Sequence, residues 1–117
     1  MDKSLEFYIT LLGLELIDRK EIPQNNAEIA FLGDPKNKGS LLELTFYRDQ
    51  KIFFQAKYEK RLFDHLAFKV KNIKKTIKAM RKAKITITDE PFELGSKGPI
   101  IAFIEDPDGV LIELIEN

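Results

Sequence analysis

Ile29-Ala30-Phe31-Leu32-Gly33-Asp34-Pro35 returns as Ile101-Ala102-Phe103-Ile104-Glu105-Asp106-Pro107, a spacing of 72 residues (29 to 101). Self-similarity at one period marks a duplicated structural unit. Working outward, Leu41-Leu42-Glu43-Leu44 matches Leu111-Ile112-Glu113-Leu114 at a spacing of 70 (43 to 113), because the first turn is two residues longer, so the two glutamates correspond. Upstream, Leu5, Tyr8 and Leu12 recur at helical spacing, as do Ile73, Ile77 and Met80, and the two helices align at the same 72 (5 to 77, 8 to 80). Chance can produce one short echo of common strand residues. Three segments in the same order are much harder to produce that way.

Each copy therefore reads as a helix followed by three strands: about 2–12, 14–22, 27–33 and 40–47, then 73–84, 85–88, 99–105 and 109–115. The strands rest on alternation and on β-branched or aromatic content. Asp106-Pro107-Asp108-Gly109 is strong turn chemistry, since Pro presets the first central φ and Gly accepts a positive one, so the last two strands should form a hairpin. Asp34 to Gly39 is a looser version. Phe63-Asp64-His65-Leu66-Ala67-Phe68-Lys69-Val70 alternates like a strand and precedes the second helix, yet its counterpart 72 residues earlier falls ahead of Met1. The expected class is α+β: two βαβββ modules, the first missing its opening strand. Module 1 spans about 1–47, a connector about 48–61 and module 2 about 62–117, within one domain of 1–117, a length that can bury a core.

The bulk figures narrow the partners. Hydrophobic residues are 44% and charged residues 32%, ordinary for a folded chain. With 19 basic and 19 acidic side chains the net charge is zero, so no overall field draws the protein to nucleic acid or an anionic membrane. Small molecules or protein partners are expected instead. The absence of Cys removes disulfides, zinc-thiolate sites and thiol nucleophiles, so any metal must use His and carboxylates. No apolar run approaches the ~18 residues of a membrane span. The opening Met1-Asp2-Lys3-Ser4 is not that of a signal peptide, which makes the cytoplasm the expected location of a soluble chain.

His65 is the only histidine. A neutral imidazole can ligate a metal or exchange a proton near physiological pH, although a lone strand histidine is more often packed or at the surface. Alternation sets it with Phe63 and Ala67. Glu43 shares a face with Leu41, Thr45 and Tyr47, and Glu113 shares one with Leu111 and Ile115. Either glutamate alone fits a half-exposed sheet face. Two at matching places on a pseudo-symmetric sheet, with a strand histidine, form a set suited to a borderline divalent metal with positions open to water or substrate. By contrast, Lys74, Lys75, Lys78, Arg81, Lys82 and Lys84 complement Ile73, Ile77 and Met80 and read as a solvated helix face. Gly95-Ser96-Lys97-Gly98 precedes a strand and lacks phosphate-loop spacing, so it reads as a hairpin, from which Lys97 could meet an anionic substrate.

These pieces carry a family resemblance. Ser4-Leu5-Glu6-Phe7-Tyr8 leading to Leu11-Leu12-Gly13-Leu14, then Glu43, Asp64-His65-Leu66-Ala67-Phe68, and Asp106-Pro107-Asp108-Gly109 with Ile112-Glu113-Leu114 resemble the vicinal oxygen chelate superfamily, and within it the glyoxalase I (lactoylglutathione lyase) family. The resemblance implies paired modules forming a cupped mixed sheet around nickel or zinc, commonly in a homodimer. Its ligands fall on Glu43, His65 and Glu113. The remaining one, a histidine on the opening strand, falls before Met1, which leaves water to fill its place. An unpaired sheet edge where that strand would lie also invites pairing with a second chain. The implied chemistry is isomerisation of the hemithioacetal of a 2-oxoaldehyde and a thiol: the metal polarises an enediolate's oxygens while Glu113 moves the proton. Tyr47 stands where the family usually has an asparagine that helps hold glutathione, so the thiol is open. Alternatives are a methylmalonyl-CoA epimerase-type isomerase and a metal-free, drug-sequestering binding module.

Overall fold

The repeat is visible strand by strand in the computed structural model, which describes residues 1–34, 36–60 and 63–116. A short helix α1 (Asp2–Leu5) runs into a π-helical turn, Glu6–Leu11, and is followed by β1 (Glu15–Ile22), β2 (Ala27–Asp34) and β3 (Asn37–Tyr47). Then come β4 (Leu66–Lys69), α2 (Ile73–Lys82), β5 (Ile87–Glu93), β6 (Ile100–Glu105) and β7 (Leu111–Glu116). Hydrogen bonding groups the strands into two sheets, ordered β1-β2-β3 and β4-β7-β6-β5. The first is antiparallel; the second is mixed, because β4 runs parallel to β7. Each sheet belongs to one of two compact units, Met1–Phe53 and Phe54–Asn117.

The registers of the two units coincide. Phe31 faces Glu43 across β2 and β3, and Phe103 faces Glu113 across β6 and β7. Ala30 faces Leu44 as Ala102 faces Leu114, and Leu32 faces Leu42 as Ile104 faces Ile112. The duplication extends to an irregularity: the pairing slips between Leu16 and Asp18 in β1 and between Ile87 and Asp89 in β5. Each slip sets an aspartate opposite the repeated phenylalanine, Asp18 on Phe31 and Asp89 on Phe103. Bulges of this kind re-aim side chains, and two at one place in a repeat are a built feature.

Unit 2 buries the α2 residues Ile73, Ile77 and Met80 together with Ala102, Ile104, Ile112 and Leu114, all at 4% exposure or less. The lysines and Arg81 of the opposite helix face are exposed, as their spacing predicts. Asn72 caps α2 by accepting the Lys75 N–H at 2.8 Å, and Glu116 accepts the Ile73 N–H. β5 begins two residues later than expected and reaches Glu93. The helix exit uses the intervening chain: Lys84 takes φ +59°, and the Ile85 N–H bonds the Met80 carbonyl. Pro91 is tolerated because β5 is an edge strand.

In unit 1, Leu5, Phe7 and Tyr8 are buried and Leu12 only half-buried. The expected i, i+3, i+7 stripe is altered because the Leu12 N–H bonds the Phe7 carbonyl five residues back, and the widened turn brings Phe7 inward. Glu28, 7% exposed, is paired with Arg19 and with Arg48, the latter at 3.4 Å. Hydrogen bonding to Glu28, then to Asp2, raises the Arg19 pKa above its ordinary value; Glu21 does the same for Arg48.

The connector is tied down at its far end. Ala56 donates its N–H to the Asp108 carbonyl at 2.8 Å, and Gln55 bonds the Pro107 carbonyl at 3.0 Å. The turn forms as expected: the Gly109 N–H bonds the Asp106 carbonyl, and Asp106 Oδ1 accepts from Asp108 and Val110. Pro35 of the looser first turn, Arg61 and Leu62 at the connector's end, and Asn117 lie outside the described residues.

Candidate metal centre

Glu113 sits in the middle of β7, between Ile112 and Leu114, both fully buried on the α2 side. Strand alternation therefore turns Glu113 to the opposite face. There it has Phe103 beside it on β6 and Ala67 beside it on β4. The parallel register brings β4 to this position with its preceding residues on the same side. His65 lies two residues before Ala67 and so shares the face, although the strand proper begins only at Leu66, shorter than the 63–70 its alternation predicts. The chain at Asp64 and His65 is bonded through side chains instead of the β ladder.

Those bonds define the site. His65 Nε2 lies 3.1 Å from Glu113 Oε2, and His65 Nδ1 lies 2.6 Å from Asp64 Oδ2. The imidazole meets the Phe103 ring edge-on, centroids 5.5 Å apart at 81°. Side-chain exposure is 16% for Glu113, 29% for His65 and 72% for Asp64, so the pair is partly shielded and the outer carboxylate is wet. Ala67, small and exposed, leaves the face open on the β4 side.

Glu43 occupies the equivalent place on β3 in unit 1, exposed, with Thr45 Oγ1 donating to its Oε1 at 3.1 Å. The structure thus brings His65 and Glu113 into contact. Among the described residues no group of three or more His, Asp or Glu side chains forms a metal-holding cluster. The donor chemistry of the pair, one imidazole nitrogen and one carboxylate oxygen on an accessible face, fits two positions of a borderline divalent ion. Tyr47 closes β3 and is 48% exposed, and Lys97 is exposed between β5 and β6.

Two neighbours escaped the sequence reading. Asp64 was part of the Asp64-His65-Leu66-Ala67-Phe68 stretch that carries the resemblance, with no periodicity to assign it a role of its own. Phe103 belongs to the repeat, yet its place next to His65 depends on β4 pairing with β7.

The model of the glyoxalase/bleomycin resistance protein/dioxygenase superfamily matches residues 1–114. Among curated proteins, the one named probable lactoylglutathione lyase from Vibrio cholerae is 35% identical over 100% of this chain and 83% of its own length. A protein of the same name from Synechocystis is 35% identical over 100% of this chain and 87% of its own. The solved trypanothione-dependent glyoxalase I of Leishmania major superimposes with a TM-score of 0.77 at 30% identity, over 99% of this chain and 78% of that one.

Proposed function

This chain belongs to the glyoxalase/bleomycin resistance protein/dioxygenase superfamily and is a glyoxalase I-like lyase, and from that premise we propose that Glu113 and His65 form its working pair on the hemithioacetal of a 2-oxoaldehyde and a thiol. The observation that carries the reading is the 3.1 Å contact between His65 Nε2 and Glu113 Oε2 on the open sheet face. His65 and Glu113, with Glu43 from the equivalent strand, would hold a divalent metal, nickel or zinc. Such an ion, when bound, supplies Lewis-acid polarisation of the substrate's two oxygens.

The chain's own residues account for the proton. Glu113 takes the hydrogen on the carbon bearing sulfur and returns it to the adjacent carbonyl carbon. The hydroxyl proton ends on the neighbouring oxygen. A 2-hydroxyacyl thioester results, with no oxidant or reductant consumed. With 16% of its side chain exposed, Glu113 has few waters beside it to intercept the transferred proton. The carboxylate is flanked by Phe103 of β6 and by the His65 imidazole ahead of β4, which limits its rotamers and favours transfer between adjacent carbons.

The thiol is left open by Tyr47 and by the trypanothione-dependent relative. We further read the protein as a cytoplasmic homodimer that acts on a small molecule and takes neither nucleic acid nor membrane as partner. No helix among the described residues is long and apolar enough to cross a membrane.

The test is thioester formation, followed by ultraviolet absorbance, from methylglyoxal with glutathione or trypanothione after nickel or zinc loading. Turnover by wild type and its loss in Glu113→Gln is the expected result. Equal metal content in wild type and a His65→Ala, Glu113→Ala double variant, or equal turnover in Glu113→Gln, overturns the assignment.

A further inference from the structure

We infer that Asp64 is a positioning residue that fixes His65 as its Nδ1–H tautomer and so presents the bare Nε2 toward Glu113 and the metal. The inference rests on the metal reading of the His65–Glu113 pair. It starts from a constraint of valence: a neutral imidazole has one N–H and one lone pair, yet both ring nitrogens of His65 face carboxylates. Asp64 Oδ2 stands 2.6 Å from Nδ1, and Glu113 Oε2 stands 3.1 Å from Nε2. A metal shared by His65 and Glu113 requires the lone pair on Nε2. The single proton must then sit on Nδ1, where only a hydrogen-bond acceptor is compatible with it. Asp64 is that acceptor.

Among the described residues, the carboxylate recorded at Nδ1 is that of Asp64. The Phe103 ring packs against the imidazole in a T-shaped contact and cannot accept the proton as a carboxylate does. The backbone at positions 64 and 65 is outside the β ladder, so the ring is oriented by its side-chain contacts with Asp64, Glu113 and Phe103. A carboxylate on the distal nitrogen of a metal-binding histidine sets its tautomer and orientation and raises its basicity as a ligand, an arrangement whose loss typically weakens metal binding about 10- to 100-fold. Asp64 is 72% exposed, so water competes for the same proton and the effect belongs at about tenfold.

Because His65 is the only histidine of the sequence, the tag-free chain of these 117 residues contains one imidazole, and its nitrogen-15 spectrum needs no assignment. Zinc is titrated against a competing chelator dye at one fixed pH in wild type, Asp64→Asn, Asp64→Ala and His65→Ala. The expected order of affinity is wild type, then Asp64→Asn, which retains an acceptor oxygen without the charge, then Asp64→Ala at about tenfold weaker. The spectrum should show Nδ1 protonated with zinc on Nε2 in wild type and Asp64→Asn, and mixed tautomers in metal-free Asp64→Ala. Equal zinc affinity in wild type and Asp64→Ala, with His65→Ala weakened, overturns the role of Asp64 and leaves the metal reading intact. Unchanged affinity in His65→Ala removes the metal reading and the inference with it. Matching amide spectra of the variants exclude misfolding as the cause, as expected for an exposed side chain.

Discussion

His65 has a carboxylate oxygen beside each ring nitrogen, so the chemistry at residue scale depends on which of the two carboxylates exchanges a proton. Glu113 is the better placed of the two, being shielded by the phenylalanine its strand register sets beside it, whereas Asp64 is wet. Replacing Glu113 with Gln preserves shape and removes the base. Steady-state kinetics on the metal-loaded protein should show kcat lower by about 10²- to 10⁴-fold. A change confined to KM would assign Glu113 to binding alone. Gly109 is a second residue whose identity has a single cause. Its φ is +80°, and a Cβ there would lie 2.5 Å from the Ala56 carbonyl oxygen. Gly109→Ala should cost about 2–4 kcal/mol from the left-handed backbone and the overpacking together, read as a lower denaturation midpoint in urea.

At the scale of elements, α2 is an amphipathic helix whose start is set by one side chain. Asn72→Ala removes the acceptor for the Lys75 N–H and should lower stability by about 1 kcal/mol, with activity retained. The buried face offers a larger effect. Ile112→Ala opens a cavity between β7 and the α2 residues and should cost about 2–5 kcal/mol by the same denaturation measurement. A loss below 1 kcal/mol would mean that the sheet collapses onto the gap. Helical spacing correctly marked Ile73, Ile77 and Met80, and it marked Leu5 and Tyr8 as well. It missed Phe7 because a π turn preserves the apolar composition of a helix while changing which residue faces inward. The paired bulges in β1 and β5 were equally hidden. A bulge adds one residue without altering alternation on either side of it, and the partner strand is needed to see the slip.

For the whole molecule, a bound divalent ion is expected to serve chemistry more than folding, since each unit has its own sheet and unit 2 a helix-backed core. Exhaustive chelation should abolish turnover while leaving far-ultraviolet circular dichroism unchanged, and added nickel or zinc should restore it. Collapse of the dichroism on chelation would mean that the ion is structural. The opening repeat, Ile29 to Pro35 against Ile101 to Pro107, was enough by itself to establish two like modules, the equivalence of Glu43 with Glu113, and the hairpin at Asp106 to Gly109. Those features follow from local chemistry: alternation, helical period and turn residues act between near neighbours in the chain. The contact between His65 and Glu113 joins residues 48 apart. It exists because burying α2 against the sheet carries β4 to the far side of β7, in parallel and in one register. Periodicity tells which way a side chain points within its strand. Which strand lies alongside is decided only when the apolar faces of helix and sheet close on each other, and with that choice come the bond from Asp64 to His65 set against Glu113 and the open face at Ala67.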